Sequence, residues 1–141
     1  MIALIITYFF LLTFPENIHT QKNADLSVKI IGFSNNTGSC YVALYRPEDS
    51  FPSFNKQYIS RISEINNKSV HITFDRLPKG DYAIAVFHDS NNNGRLDKNL
   101  MGIPTEKYGF SNNARETFSA TAFYKARIHL DSRKEILIII K

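Results

Sequence analysis

The residues with the clearest chemical pattern lie in one stretch. Asp89, Asn91, Asn93 and Asp97 place side-chain oxygens at odd-numbered positions, and Gly94 interrupts the series. Alternating oxygen donors that turn on a glycine are how a loop wraps a hard cation such as Ca2+. The backbone carbonyl of Arg95 falls at the next ligand position, and Glu106 can return as a further carboxylate. Asp89 and Asp97 would balance a divalent charge, while neutral amide ligands point to weak affinity. The pattern is not an EF-hand, because its twelfth residue is Leu100 where a bidentate Glu is needed, and a strand-like run precedes it. The competing reading is an Asx-turn loop, in which Asp and Asn side chains bond their own backbone. Both readings stand on the sequence alone.

Acid–base chemistry has fewer signs. His71, His88, His129, Asp89 and Glu106 offer a general base or a metal site. Only His88 and Asp89 are adjacent, and neighbours on a strand point to opposite faces. The chain has no Gly-x-Ser-x-Gly elbow, no His-Glu-x-x-His pair and no Gly-rich phosphate loop. The expectation is therefore a non-catalytic module that binds a ligand or an envelope protein. The alternative is a small hydrolase or metal-dependent enzyme using the His88/Asp89/Glu106 region. The same long connection carries Tyr108, Phe110 and Asn112, candidates for contact with a ligand or partner. The two aromatic residues can equally fold back and cap the core. Exposed aromatic residues would favour recognition, and a cleft joining His88 to Glu106 would favour catalysis.

Strands must position these residues. Period-two alternation marks strands over 26–30, 40–45, 58–65 and 70–74. An almost wholly apolar run over 82–88 reads as a central strand packed on both sides, delivering Asp89 to the end of a sheet. Two further strands, 123–130 and 135–140, form a final pair around Asp131-Ser132-Arg133-Lys134. In the second strand, Cys40, Val42 and Leu44 share one face, and Tyr41, Ala43 and Tyr45 the other. Phe51 and Phe54 sit in a loop expected to cover one end of the core, and His71 falls on a polar face. Seven strands without an amphipathic helix predict an all-β, antiparallel two-sheet sandwich with one long loop after the fifth strand. The expected core includes Val28, Ile30, Val42, Leu44, Val70, Ile72, Phe74 and Ile84.

A chain of 141 residues has room for one domain of this kind. Residues 2–14 carry no charge and are nearly all apolar, too short a run to span a bilayer, which takes about 20 residues. The run has the length of a signal-peptide core, which predicts a signal peptide over 1–20, a linker over 21–25 and the sandwich over 26–141. The expected location is the periplasm, the cell envelope or the outside, with no transmembrane span in the mature chain. Removing 1–20 takes away Glu16 and no base, so the net charge rises by one from +4. The bases are scattered, which argues against nucleic acid as a partner. A single cysteine, Cys40, cannot form an internal disulfide, so burial alone must hold the fold. Asn35-Asn36-Thr37 and Asn67-Lys68-Ser69 match the glycosylation acceptor pattern.

The run Leu77-Pro78-x-Gly80-x-Tyr82-Ala83-Ile84-Ala85, followed by His88-Asp89-x-Asn91-x-Asn93-Gly94-x-Leu96-Asp97, resembles the bacterial DUF2141 family. The later Gly102-x-Pro104-x-Glu106-x-Tyr108-Gly109-Phe110-Ser111-Asn112-Asn113 fits the same pattern. The resemblance covers residues 26–141 and implies an exported bacterial domain with a prealbumin-like or carboxypeptidase-regulatory-like sandwich. Family members often carry Pro-Ser-Phe and acids before the next-to-last strand, where this chain reads Thr121-Ala122-Phe123-Tyr124-Lys125-Ala126. Any help those acids give to ion binding is missing here. Transthyretin-like hydrolases share the implied fold but end Tyr-Arg-Gly-Ser, whereas this chain ends Ile138-Ile139-Ile140-Lys141. Fold likeness carries no activity by itself.

Overall fold

The computed structural model describes residues 22–116 and 121–141, so the expected signal segment and cleavage region lie outside it. Eight strands form two sheets: β1 (Asn23–Ile31), β2 (Ser39–Tyr45), β3 (Ile59–Glu64), β4 (Ser69–Pro78), β5 (Gly80–Asp89), β6 (Tyr108–Phe110), β7 (Ile128–Leu130) and β8 (Lys134–Ile139). One sheet has the order β4-β1-β8, and the other the order β3-β2-β5-β6, with β7 also paired to β5. β6 and β7 share one edge of β5, matching Ala85–Phe87 and Gly80–Tyr82 respectively.

Alternation explains the sandwich. Leu26, Val28 and Ile30 of β1 face Cys40, Val42 and Leu44 of β2 across the interior, joined by Phe74, Ile84, Leu130 and Ile138, all at 1 % exposure or less. Of the expected core only Ile72 is partly open, and it still packs against this cluster. Burial of the Cys40 thiol pushes its pKa up to about 12, so it behaves as a small hydrophobe. On the far side of the three-stranded sheet, Lys29 and His71 face solvent as paired residues. β5 is buried along most of its length, as its apolar run requires.

Four expectations change. The long connection after β5 contributes an eighth strand, β6, whose three residues are too few to show a period in sequence. The run 123–130 is not one strand: Phe123–Ala126 is a single helical turn, and only Ile128–Leu130 is extended. Phe123 and Ala126 turn inward while Tyr124 and Lys125 stay in water, a spacing of three that suits a helix rather than a strand. The last two strands do not pair with each other, since β7 joins β5 and β8 joins β1. The sandwich is also not wholly antiparallel, because β8 runs parallel to β1.

The Gly109–Asn113 motif closes one seam between the sheets. Ser111 Oγ accepts the Ile84 N–H at 2.9 Å and donates to the Ala126 carbonyl, with no exposure at all. The Asn112 amide donates to the Lys125 and Arg127 carbonyls, and Asn113 Oδ1 accepts the Ile139 N–H on the edge of β8. Both asparagines adopt left-handed backbone (φ 57° and 51°), a conformation that Asn tolerates better than most residues. Asn112, expected as a ligand contact, is thus occupied in holding the chain to itself.

Candidate functional site

β5 carries Asp89 to the rim of its sheet, and the loop that follows closes on that carboxylate. Asp89 Oδ1 accepts the Asn93 N–H at 3.0 Å and Oδ2 accepts the Gly94 N–H at 2.7 Å. Asn91 Oδ1 accepts the Asn93 N–H and Asn93 Oδ1 the Arg95 N–H, which are consecutive Asx turns. The Asn91 and Asn93 amides donate to the two oxygens of Asp97 at 2.7 and 2.8 Å. Glu106 returns to the loop as expected, accepting the Ser90 N–H and hydroxyl on Oε1 and the Asp97 N–H on Oε2. Gly94 makes the bend at φ 76°. Gly38 is needed for a different reason, since a Cβ there would stand 2.2 Å from the Asp89 carbonyl oxygen.

These bonds decide what the loop can do chemically. Asp89 lends both oxygens to backbone N–H groups, and Glu106 does the same across the loop. Asp97 with Asn91 and Asn93 forms the part that most resembles a cation shell. It would fit an ion only if both amides turned over, presenting oxygen in place of nitrogen and giving up their Asx-turn bonds. Among the described residues, no three His, Cys, Asp or Glu side chains gather as a metal-holding group.

The histidines do not converge. His71 lies on β4 in the opposite sheet, and His129 on β7 bonds Asp81 at 2.7 Å. His88 is 4 % exposed, donates Nε2–H to the Thr37 carbonyl at 2.7 Å and meets the Phe33 ring edge-on. A small polar cleft of about 200 Å³ does join His88 to Glu106, with Ser90 and Lys107 on its wall. Lys107 Nζ donates to the Gly32 carbonyl at 2.7 Å, and Glu106 already serves three donors. Glu106 could act as a base in this cleft only by giving up bonds that hold the loop, whereas the Nε2–H bond of His88 leaves its Nδ1 lone pair.

The larger concavity lies on the outer face of the five-stranded sheet. Its floor is the face of β2 opposite to the core, Tyr41, Ala43 and Tyr45, together with Ala85 and Phe87 of β5 and Tyr108 of β6. Tyr41 and Phe87 stack with centroids 4.9 Å apart, giving the floor an aromatic patch beside Ala43 and Ala85. Among the described residues the 46–58 and 90–107 connections wall it, and Arg115, Glu116 and Thr121 line it as well. The 46–58 segment brings Phe54 onto Tyr41 and Phe51 onto Tyr45 and Phe110, so these aromatic residues cover the outer face rather than an end of the core. The 90–107 segment brings Leu96 onto the floor and leaves Met101 (81 %) and Ile103 (53 %) exposed at the rim. The space between measures about 950 Å³, at the upper end of small-ligand sites.

Of the expected contact residues, Tyr108 is a half-buried part of this floor and Phe110 packs beneath Phe51. Sequence reasoning missed Tyr41, Tyr45 and Phe87. The available signal was Tyr-x-x-x-Tyr on the non-core face of β2, where a solvated face would have been polar.

No curated protein and no solved structure matches the chain. The family model described as an uncharacterized protein conserved in bacteria (DUF2141) matches residues 28–137, and the chain belongs to that family.

Proposed function

We propose that this is an exported, non-catalytic sandwich module that holds an apolar ligand, or an apolar part of an envelope partner, in the groove on the outer face of β2, β5 and β6. The observation that carries the reading is the apolar concavity over this aromatic floor, with Met101 and Ile103, two large apolar side chains in water, on its lining. A concavity lined mostly by apolar and aromatic side chains with a few polar groups is the usual form of a small-ligand site. The hydrogen-bonded 89–97 loop supports it, because the loop fixes the start of the segment that forms one wall. Export rests on the uncharged run 2–14, and mass spectrometry of native material is its check, with a mature N-terminus near Gln21 expected.

The neutral fluorophore N-phenyl-1-naphthylamine tests the groove. Saturable enhancement is expected with the wild type, and at least tenfold weaker binding with Met101→Asp/Ile103→Asp, whose exposed positions leave the fold intact. Equal enhancement by both proteins would place the fluorophore elsewhere and overturn the reading.

A structural calcium ion on the 89–97 loop is a second reading, favoured by the convergence of Asn91 and Asn93 on Asp97. Its test is the thermal midpoint in EDTA, millimolar calcium and millimolar magnesium. A rise confined to calcium, abolished in Asp97→Ala, supports it; equal midpoints leave the Asx-turn loop. Catalysis at His88 and Glu106 forms no part of the proposal, because both oxygens of Glu106 hold the loop and the histidines do not converge on a shared site.

A further inference from the structure

The groove has a charge as well as a shape. Arg95, Lys98 and Arg115 line it against a single acid, Glu116, and that acid is paired with Lys125. Among the described residues none of the three cations makes an ion pair. Arg115 is held in place: its guanidinium lies 5.5 Å from the Tyr108 ring centre and donates to the Tyr108 carbonyl at 3.2 Å. It thus stands at the edge of the aromatic floor. Arg95 and Lys98 line the groove from the 90–107 segment, which the Asp97 N–H to Glu106 and Thr105 N–H to Asp97 bonds fix in place. All three are exposed and solvated, so their effect on a ligand is a local positive field, which favours an anionic head group and repels a cation.

We infer that the groove takes a small amphiphilic organic anion, a medium- or long-chain carboxylate, with its tail along Tyr41, Phe87 and Tyr108 and its acid head among Arg95, Lys98 and Arg115. An aliphatic tail suits the walls, because Met101, Ile103 and Leu96 are flexible or branched aliphatic groups that can close over a chain. The head-group preference follows from charge-assisted hydrogen bonds, which the two arginines and the lysine donate and which a carboxylate accepts. This assignment rests on the groove being a binding site.

Displacement of N-phenyl-1-naphthylamine from the full chain by decanoate, 1-decanol and decyltrimethylammonium, each below its micellar range, separates the two claims. Decanoate is expected to displace at least tenfold more effectively than decanol, with decyltrimethylammonium weakest. That order is expected to weaken with added salt and to disappear in Arg95→Glu/Lys98→Glu, two exposed positions whose exchange leaves the thermal midpoint in place. Equal displacement by decanoate and decanol would overturn the charge assignment while leaving the groove as a site. Failure of the neutral fluorophore to bind at all would overturn both. Binding to anionic vesicles without saturable displacement by decanoate would also overturn it, pointing to a membrane surface instead.

Discussion

The two faces of the five-stranded sheet are both apolar, yet they are built differently. The inner face is aliphatic and is sealed by a second sheet; Val42, Leu44 and Ile84 are fully buried there against Leu26, Val28 and Ile30 of β1. The outer face is aromatic and, among the described residues, is covered by irregular connections rather than by a second sheet, beside a space of about 950 Å³. Aliphatic branches interlock at close-packed density when two regular sheets meet. Large flat rings under irregular loops leave concavities, and an aromatic floor offers area without the side-chain entropy cost of ordering flexible groups. The same sheet therefore serves stability on one side and, in the reading proposed here, recognition on the other.

The sharpest way to break this comparison is to truncate one ring packed against each face, Phe74 of β4 on the inner side and Phe54 of the 46–58 connection on the outer. Phe74→Ala empties a site at 1 % exposure and is expected to cost about 3–5 kcal/mol. Phe54→Ala, at 47 % exposure, is expected to cost under about 1 kcal/mol. Denaturant unfolding of both variants checks the pair, and equal losses would mean the outer face is a second core. Ser111→Ala probes the seam that supports β6 and should cost about 1–3 kcal/mol, because it strands the buried Ile84 N–H. If instead the calcium reading of the loop holds, about 1.4 kcal/mol of calcium-dependent stability is expected at ten times the dissociation constant. No such gain is expected from the Asx-turn arrangement.

Alkaline pH addresses both faces at once. Burial raises Cys40 on the inner face to about 12, and burial with the nearby Tyr41 and Asp49 raises Tyr45 on the outer face to about 12. Both groups lose their proton more readily when unfolded, at their ordinary values of 9.0 and 10.0. The unfolded chain thus binds fewer protons between these limits, and stability falls as pH rises from about 9 towards 12. Unfolding followed against pH is expected to show that fall, and Cys40→Ala is expected to make it shallower from its onset. A thiol that reacts with iodoacetamide in the native protein at pH 8 would contradict the burial of the inner face.

Much of this was legible in the residues. Period-two alternation in β1, β2 and β4 assigned inner and outer sides correctly, and the oxygen pattern after His88 located a loop that does close on Asp89. Alternation cannot say whether a second face is also covered, because the cover on Tyr41 and Tyr45 comes from Phe51, Phe54 and Leu96, distant in sequence. The long connection hid β6, since three residues around Gly109 carry no period. The role of Ser111, Asn112 and Asn113 was equally invisible: side-chain bonds to Ile84, Ala126 and Ile139 depend on the fold being complete. Arg95, read in sequence only for its carbonyl, lends its side chain to the groove wall because the loop turns at Gly94.

The central claim is that the outer face of β2, β5 and β6 binds an apolar ligand, and amide chemical shifts test it most directly. With N-phenyl-1-naphthylamine added to the ¹⁵N-labelled protein, saturable shifts are expected at Ala43, Ala85 and Tyr108, with Lys29 and His71 on the opposite sheet unmoved. Shifts centred on β4, β1 and β8, or none that saturate, would contradict it.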